Sequence, residues 1–206
     1  MIKLPTSKLR DLEYEDLLDL FVSIVVIYAT WTLLLGWNSA YFPSGNDAVF
    51  LAVPLTRDFL SIPGGWESFG FRSTIMGGAK ILGQHGTSPA MEIGKLLNLT
   101  PVGVWTLTVF TLQVLQAAIG LHIIKDLTLL LLKRDGIEIP LTFKVALILT
   151  ISFSPFLGWK LAYGHTAIIL GTHAFYVAVA LVLANKTKRL SMTLLFLSFV
   201  SLFQAY

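Results

Sequence analysis

The stretch 20–37, LFVSIVVIYATWTLLLGW, carries no charged residue. A run of about that length is what an α-helix needs to cross the hydrocarbon core of a bilayer. Inside that core every backbone amide must find its partner within the segment, so an open chain that enters it does so as helix. The sequence repeats the feature. Further apolar runs cover 102–132, 141–158, 166–184 and 190–206. Composition agrees: 55% of residues are hydrophobic and 13% are charged, against roughly 25% charged in a soluble domain. The expected fold is an all-α integral membrane protein with about five transmembrane helices.

The N-terminus does not read as a cleavable signal peptide. Asp11, Glu13, Glu15, Asp16 and Asp19 all precede the first apolar run, where a signal peptide has a basic start followed by a short apolar core. Residues 1–19 are expected to form a cytoplasmic interfacial helix, capped by Thr6 or Ser7, with Leu9, Leu12, Leu17 and Leu20 at roughly helical spacing. An ordinary solvated lead-in helix fits the same residues equally well. The chain has no cysteine, which excludes disulfides, thiolate nucleophiles and cysteine metal sites.

Orientation follows from the basic residues. Lys3, Lys8 and Arg10 precede the first run, Lys133 and Arg134 follow the second, and Lys186, Lys188 and Arg189 follow the fourth. With alternating spans these clusters share one side, which predicts a multi-pass protein of the cell (inner) membrane with a cytoplasmic N-terminus. The net charge of +3 is accounted for by these segment ends and gives no reason to expect a nucleic-acid partner.

The segment 38–101 is the one long polar interval, and the predicted orientation makes it an extracytoplasmic loop. Short interfacial helices are expected within it over 48–60, ended by Pro63-Gly64-Gly65, and over 90–99 before Pro101. Asp47 follows a Pro-Ser-Gly turn shortly after the first run. A carboxylate there can act as a general base or hold a divalent cation; as the cap of the following helix it needs no further role, and the spacing alone favours the cap. Arg57 beside Asp58 reads as a solvated ion pair or as a phosphate contact. Arg72 has the same two readings, and its planar fork suits it to bind two phosphate oxygens. His165, in the short turn before the fourth run, is placed on the same outer face and can contact a phosphate or a metal, or simply cap that span. His173 lies at depth within the fourth run. His122, near a cytoplasmic edge, is given no role. No zinc-type spacing, Walker loop or GxGxxG element is present.

Several short motifs occur in a telling order: Gly45-Asn46-Asp47 after the first run, Ile75-Met76-Gly77-Gly78, Ser154-Pro155-Phe156, Leu161-Ala162-Tyr163-Gly164-His165, and Phe203-Gln204-Ala205-Tyr206. This order resembles the N-terminal half of GT-C membrane glycosyltransferases, especially the bacterial YfhO-like group. The resemblance implies an enzyme that takes a sugar from a polyprenyl-phosphate carrier on the outer membrane face. Asp47 matches the family's first-loop aspartate, as base or as ligand of Mg²⁺ or Mn²⁺, and His165 matches its glycine-histidine turn. Arg57, Arg72 and His165 are then the groups for the leaving phosphate. Beside this stands a second expectation, a non-catalytic multi-pass subunit packed against other membrane subunits and lipid, with Gly36, Gly120, Gly158 and Gly171 permitting close helix contacts. A transporter is the weaker third, because charges within the apolar runs are nearly absent.

Overall fold

In the computed structural model, the described residues are 6–35, 57, 60–61, 89–132, 139–154, 166–188 and 190–204. Among them there are helices and no strands. The helices are α1 (Thr6–Thr30), which runs into a π-helical turn at Trp31–Leu35, α2 (Pro89–Leu96), α3 (Pro101–Leu132), α4 (Leu141–Ser152), α5 (Thr166–Thr187) and α6 (Met192–Gln204).

Local chemistry sets several of their ends. Thr100 caps α3: its Oγ1 accepts the Gly103 amide at 3.1 Å and its carbonyl the Val104 amide at 2.9 Å. Pro101 takes the first helical position, where no amide hydrogen is missed. Helix α2 closes with Asn98 at φ 55. The Leu99 amide reaches back to the Gly94 carbonyl at 2.8 Å, and the Asn98 amide to Lys95 at 3.2 Å. This is a Schellman closure, in which asparagine tolerates the left-handed conformation. Ser191 caps α6 by accepting the Leu194 amide at 3.0 Å.

Helix α3 is the axis of the molecule. Every residue from Leu112 to His122 is buried, as expected of a helix apolar on all sides. Around it pack α1, α4, α5 and α6, with α2 against its N-terminal part. One apolar cluster joins Ile27 of α1 and Trp31 of the π-helical turn to Leu112 and Ala117 of α3 and Ile148 of α4. Trp31 meets Phe110 edge-on, with ring centroids 5.9 Å apart. A second cluster joins Leu115, Ala118 and Ile119 to Val177, Ala180 and Ala184 of α5 and Leu194 and Leu197 of α6. At Gly120 a built Cβ comes within 2.6 Å of Ile151 Cδ1, so this glycine sets the approach of α4.

Side-chain pairs give the helix directions. Trp31 bonds Gln113 while Asp19 pairs with Lys125, so α1 and α3 are antiparallel. Lys144 lies at the level of Asp19 and Ser152 at that of Gln113, so α4 runs parallel to α1. Ser191, at the turn from α5 to α6, touches Asp16. One end of the bundle therefore collects the early part of α1, the last part of α3, the start of α4 and the turn between α5 and α6. The C-terminus of α1, the N-termini of α3 and α5 and the C-terminus of α4 lie at the opposite end.

Two helices, over Tyr14–Leu33 and Pro101–Leu132, are long and apolar enough to cross a membrane, and Leu141–Ser152 is a shorter apolar helix. The sequence suggested a surface helix ending at residue 19 and a separate span from residue 20. The backbone has no break there, because nothing in Asp19-Leu20-Phe21 interrupts a helix and Asp19 is buried, at 2% exposure. Trp31 is wholly buried in the core. The extension of the second apolar run to residue 132 is continuous helix.

Candidate functional site

The most concentrated chemistry among the described residues is an ionic cluster at the first of the two ends. Its carboxylates come from α1 (Glu15, Asp16, Asp19) and α3 (Asp126), and its cations from α3 (Lys125) and α4 (Lys144). His122 of α3 sits between two of the acids. Its Nδ1 lies 3.2 Å from Asp16 Oδ1 and its Nε2 3.4 Å from Asp126 Oδ2. Asp19 receives Lys144 Nζ on Oδ1 at 2.6 Å and Lys125 Nζ on Oδ2. Lys125 also faces Glu15 at 3.5 Å. The Ser191 hydroxyl donates to Asp16 Oδ2 at 2.5 Å, so the capping residue of α6 joins the same network.

Periodicity puts these groups together. Residues 15, 16 and 19 share one face of α1, and residues 122, 125 and 126 one face of α3, since positions three and four apart are neighbours on a helix. Each helix thus carries a polar stripe about one turn long within an otherwise apolar sequence. Antiparallel packing brings the stripes into contact, and Lys144 closes the gap from α4. Asp16, Asp19, His122, Lys125 and Asp126 are all buried. Burying so many ionisable groups is costly unless each meets an opposite charge or a hydrogen-bond donor. The crevice lined by Asp16, Asp19, His122, Ala118, Leu194 and Leu197 has no room for a water-sized group.

About two helical turns away lies a second, neutral polar node. Gln113 accepts from Trp31 Nε1 at 3.0 Å and donates from Nε2 to the Ser152 carbonyl at 2.6 Å. It ties α1, α3 and α4 together in the middle of the apolar core. His173 of α5 is fully buried, and neither ring nitrogen has a hydrogen-bond partner among the described residues.

Of the residues singled out by sequence, Asp47, Arg72 and His165 lie outside the described residues. Arg57 is described, and it is an exposed helical residue. Arg57 is not one of the residues that make up the ionic cluster. Lys125 and Asp126, with His122, lie within the run 102–132, and Asp16 and Asp19, which precede the run 20–37, belong to the same apolar helix Tyr14–Leu33; all five are buried. They escaped sequence reasoning because α1's acids looked like a solvated face and α3's charges like a cytoplasmic edge. The i, i+3, i+4 spacing of opposite signs on the two helices was the signal available. No group of three or more metal-type ligands is found among the described residues. No family model, curated protein or solved structure matches the chain.

Proposed function

We propose that the chain is a multi-pass membrane protein of GT-C glycosyltransferase type, acting on a polyprenyl-phosphate-linked sugar at the extracytoplasmic face. Five spans alternate through the bilayer, the ionic cluster lies toward the cytoplasm, and the segments 38–88 and 155–165 face outward. The observation that carries this reading is helix direction. The described ends that flank both segments, at α1 and at α2 (which packs on the start of α3) for the first and at α4 and α5 for the second, gather at the end of the bundle away from the cluster. Asp47 and His165, which are far apart in sequence, then belong to one face of the protein.

On this reading an acceptor hydroxyl attacks the anomeric carbon, its proton passes to Asp47, and polyprenyl phosphate departs. Asp47 serves as that base or as a ligand of Mg²⁺ or Mn²⁺. Arg57, Arg72 and His165 offset the charge that grows on the leaving phosphate. The test uses the full chain reconstituted with an extract of polyprenyl-phosphate sugars. Wild-type protein is expected to consume the donor, and Asp47→Asn to lose at least about a hundredfold in rate with unchanged elution and thermal stability. A folded Asp47→Asn protein as active as wild type would remove Asp47 from the chemistry.

One observation favours a second reading, a non-catalytic subunit of a larger membrane complex. The chemistry concentrated among the described residues is packed shut and joins helices to one another, which is what a scaffold requires. A wild-type chain that is inactive with every lipid-linked sugar, and that purifies from its native membrane in fixed ratio with other membrane proteins, would select this alternative.

A further inference from the structure

Helix α2 carries an apolar face that stays exposed. Ile93, Leu96 and Leu97 are exposed by 44%, 84% and 60%. Positions three and four apart are neighbours on a helix, so the three side chains form one face. The Leu97 amide bonds the Ile93 carbonyl at 2.8 Å, which carries the helical path as far as Leu97. At 3.6 residues per turn, Gly94 lies about a quarter turn from this face and Lys95 about opposite it. Gly94 is buried, and a Cβ built on it would overlap Val104 Cγ2. Val104 is the fourth residue of α3, and α3 is one of the two helices long and apolar enough to cross a membrane. Helix α2 is therefore pressed flush against the first turn of that helix, with its apolar face turned aside from the contact and its lysine on the far side.

The size of the face limits what can cover it. Three aliphatic side chains on a helix of eight residues fall far short of the roughly 1,200 Å² that a small specific protein interface buries. A lipid surface asks for less: an apolar face on a helix lying in the interface plane, with the polar side turned to water. The contact of Gly94 with Val104 sets α2 at the level where α3 would enter the bilayer, so the face is continuous with the start of the span. We infer that α2 docks on lipid: Ile93, Leu96 and Leu97 lie in the hydrocarbon edge of the leaflet that α3 enters, and Lys95 is turned toward headgroups and water. The inference rests on the multi-pass reading above. It adds that the chain meets the bilayer at α2, before Pro101, and that the close fit of Gly94 on Val104 sets the depth at which α3 begins. Residue 89, where the outward segment 38–88 ends, is thereby held at the membrane surface.

The test uses the full chain in vesicles of phosphatidylcholine and phosphatidylglycerol, with a nitroxide on single introduced cysteines, since the sequence has none of its own. The variants are Ile93→Cys, Leu96→Cys, Leu97→Cys and Lys95→Cys, with Phe21→Cys as a reference at an exposed residue of α1. Relaxation by oxygen, which partitions into lipid, is compared with relaxation by a water-soluble nickel chelate. Oxygen is expected to dominate at 93, 96 and 97, at a depth of about 5–10 Å into the boundary between headgroups and acyl chains, and nickel to dominate at 95. Nickel dominating at 93, 96 and 97 while position 21 reads as lipid would overturn the inference and leave the multi-pass reading standing. Shielding of 93, 96 and 97 from both reagents would overturn it as well, because protein would then cover the face, from a second copy or from this chain. Nickel dominating at position 21 too would remove the multi-pass reading and the inference together.

Discussion

Asp19 is the residue on which most of the cluster depends. It receives both Lys125 and Lys144, from two different helices, at 2% exposure. Removing its charge leaves two buried ammonium groups facing a neutral amide, whereas removing Lys144 leaves Asp19 still paired with Lys125. Breaking a buried pair from one side costs about 3–5 kcal/mol. We therefore expect Asp19→Asn to destabilise by about that amount and Lys144→Met by about 1–3 kcal/mol, read from unfolding of the full chain in mixed micelles. Equal costs would mean that the two lysines do not share the carboxylate in solution. Gln113 offers a cleaner cycle. Gln113→Leu deprives Trp31 Nε1 and the Ser152 carbonyl of this partner and should cost about 1–3 kcal/mol. Adding Trp31→Phe to it should cost less than Trp31→Phe does alone. These residues were hidden in the sequence for a physical reason. Asp19 lies 125 positions before Lys144, and a periodicity argument sees only one helix at a time. A carboxylate on a helical face looks solvated until the cation that buries it is known.

At the scale of the elements the sequence was easier to read. The apolar run over 102–132 lies within α3, those over 141–158, 166–184 and 190–206 hold α4 at Leu141–Ser152, α5 at Thr166–Thr187 and α6 at Met192–Gln204, and the short helix expected over 90–99 is α2 at Pro89–Leu96. Apolar content and punctuation by Thr100-Pro101, Asn98 and Ser191 are local properties, so they survive without tertiary knowledge. The join between residues 19 and 20 did not, because hydropathy changes there while helical propensity does not. The loop residues Asp47, Arg72 and His165 fall outside the described residues, so helix geometry bears only on the ends of the segments that hold them. Two elements carry a test of how tightly the bundle is set. Ser191 both caps α6 and donates to Asp16. Ser191→Ala should cost about 1–2 kcal/mol for the cap, and the loss should shrink in an Asp16→Asn background, where the shared bond is already weakened. At Gly120 a methyl group would press on the flexible end of Ile151 and touch Tyr176 at ordinary contact distance, so Gly120→Ala should be mild and Gly120→Leu, which forces α4 away, should cost roughly 1–3 kcal/mol or more. A harmless Gly120→Leu would show that α4 is free to shift.

At the scale of the molecule, an asymmetry between the two ends remains to be explained. One end holds a buried, interlocked set of charges; the other gathers the helix termini from which 36–88 and 155–165 depart. For a chain in a bilayer the asymmetry has a direction. Basic residues flank the cluster end: Lys8 and Arg10 before it on α1, Lys133 and Arg134 after α3, Lys186, Lys188 and Arg189 after α5. On the proposed multi-pass reading, the bias of Lys and Arg toward the cytoplasm would turn that end inward. Two helices expose rows of large apolar side chains. Tyr14, Leu17, Phe21, Ile24, Val25 and Tyr28 follow one another along α1, and Met192, Phe196 and Phe199 along α6, whereas a soluble monomer seldom exposes an apolar patch of such extent. Single cysteines can be introduced without background, since the chain has none. In intact cells or right-side-out vesicles, a membrane-impermeant maleimide is expected to label cysteines placed at positions 85 and 160 and to spare those at 135 and 188, and to label the latter pair only after the membrane is opened. The cluster residues give an internal control, because a cysteine at position 126 should stay unlabelled in both conditions until the protein is unfolded. Labelling of 135 from outside would invert the protein, move Asp47 and His165 to the cytoplasm, and remove the extracytoplasmic sugar-transfer reading with them. Labelling of 85 and 160 from opposite sides would break the alternation of spans itself, and with it the argument that the two segments meet on one face.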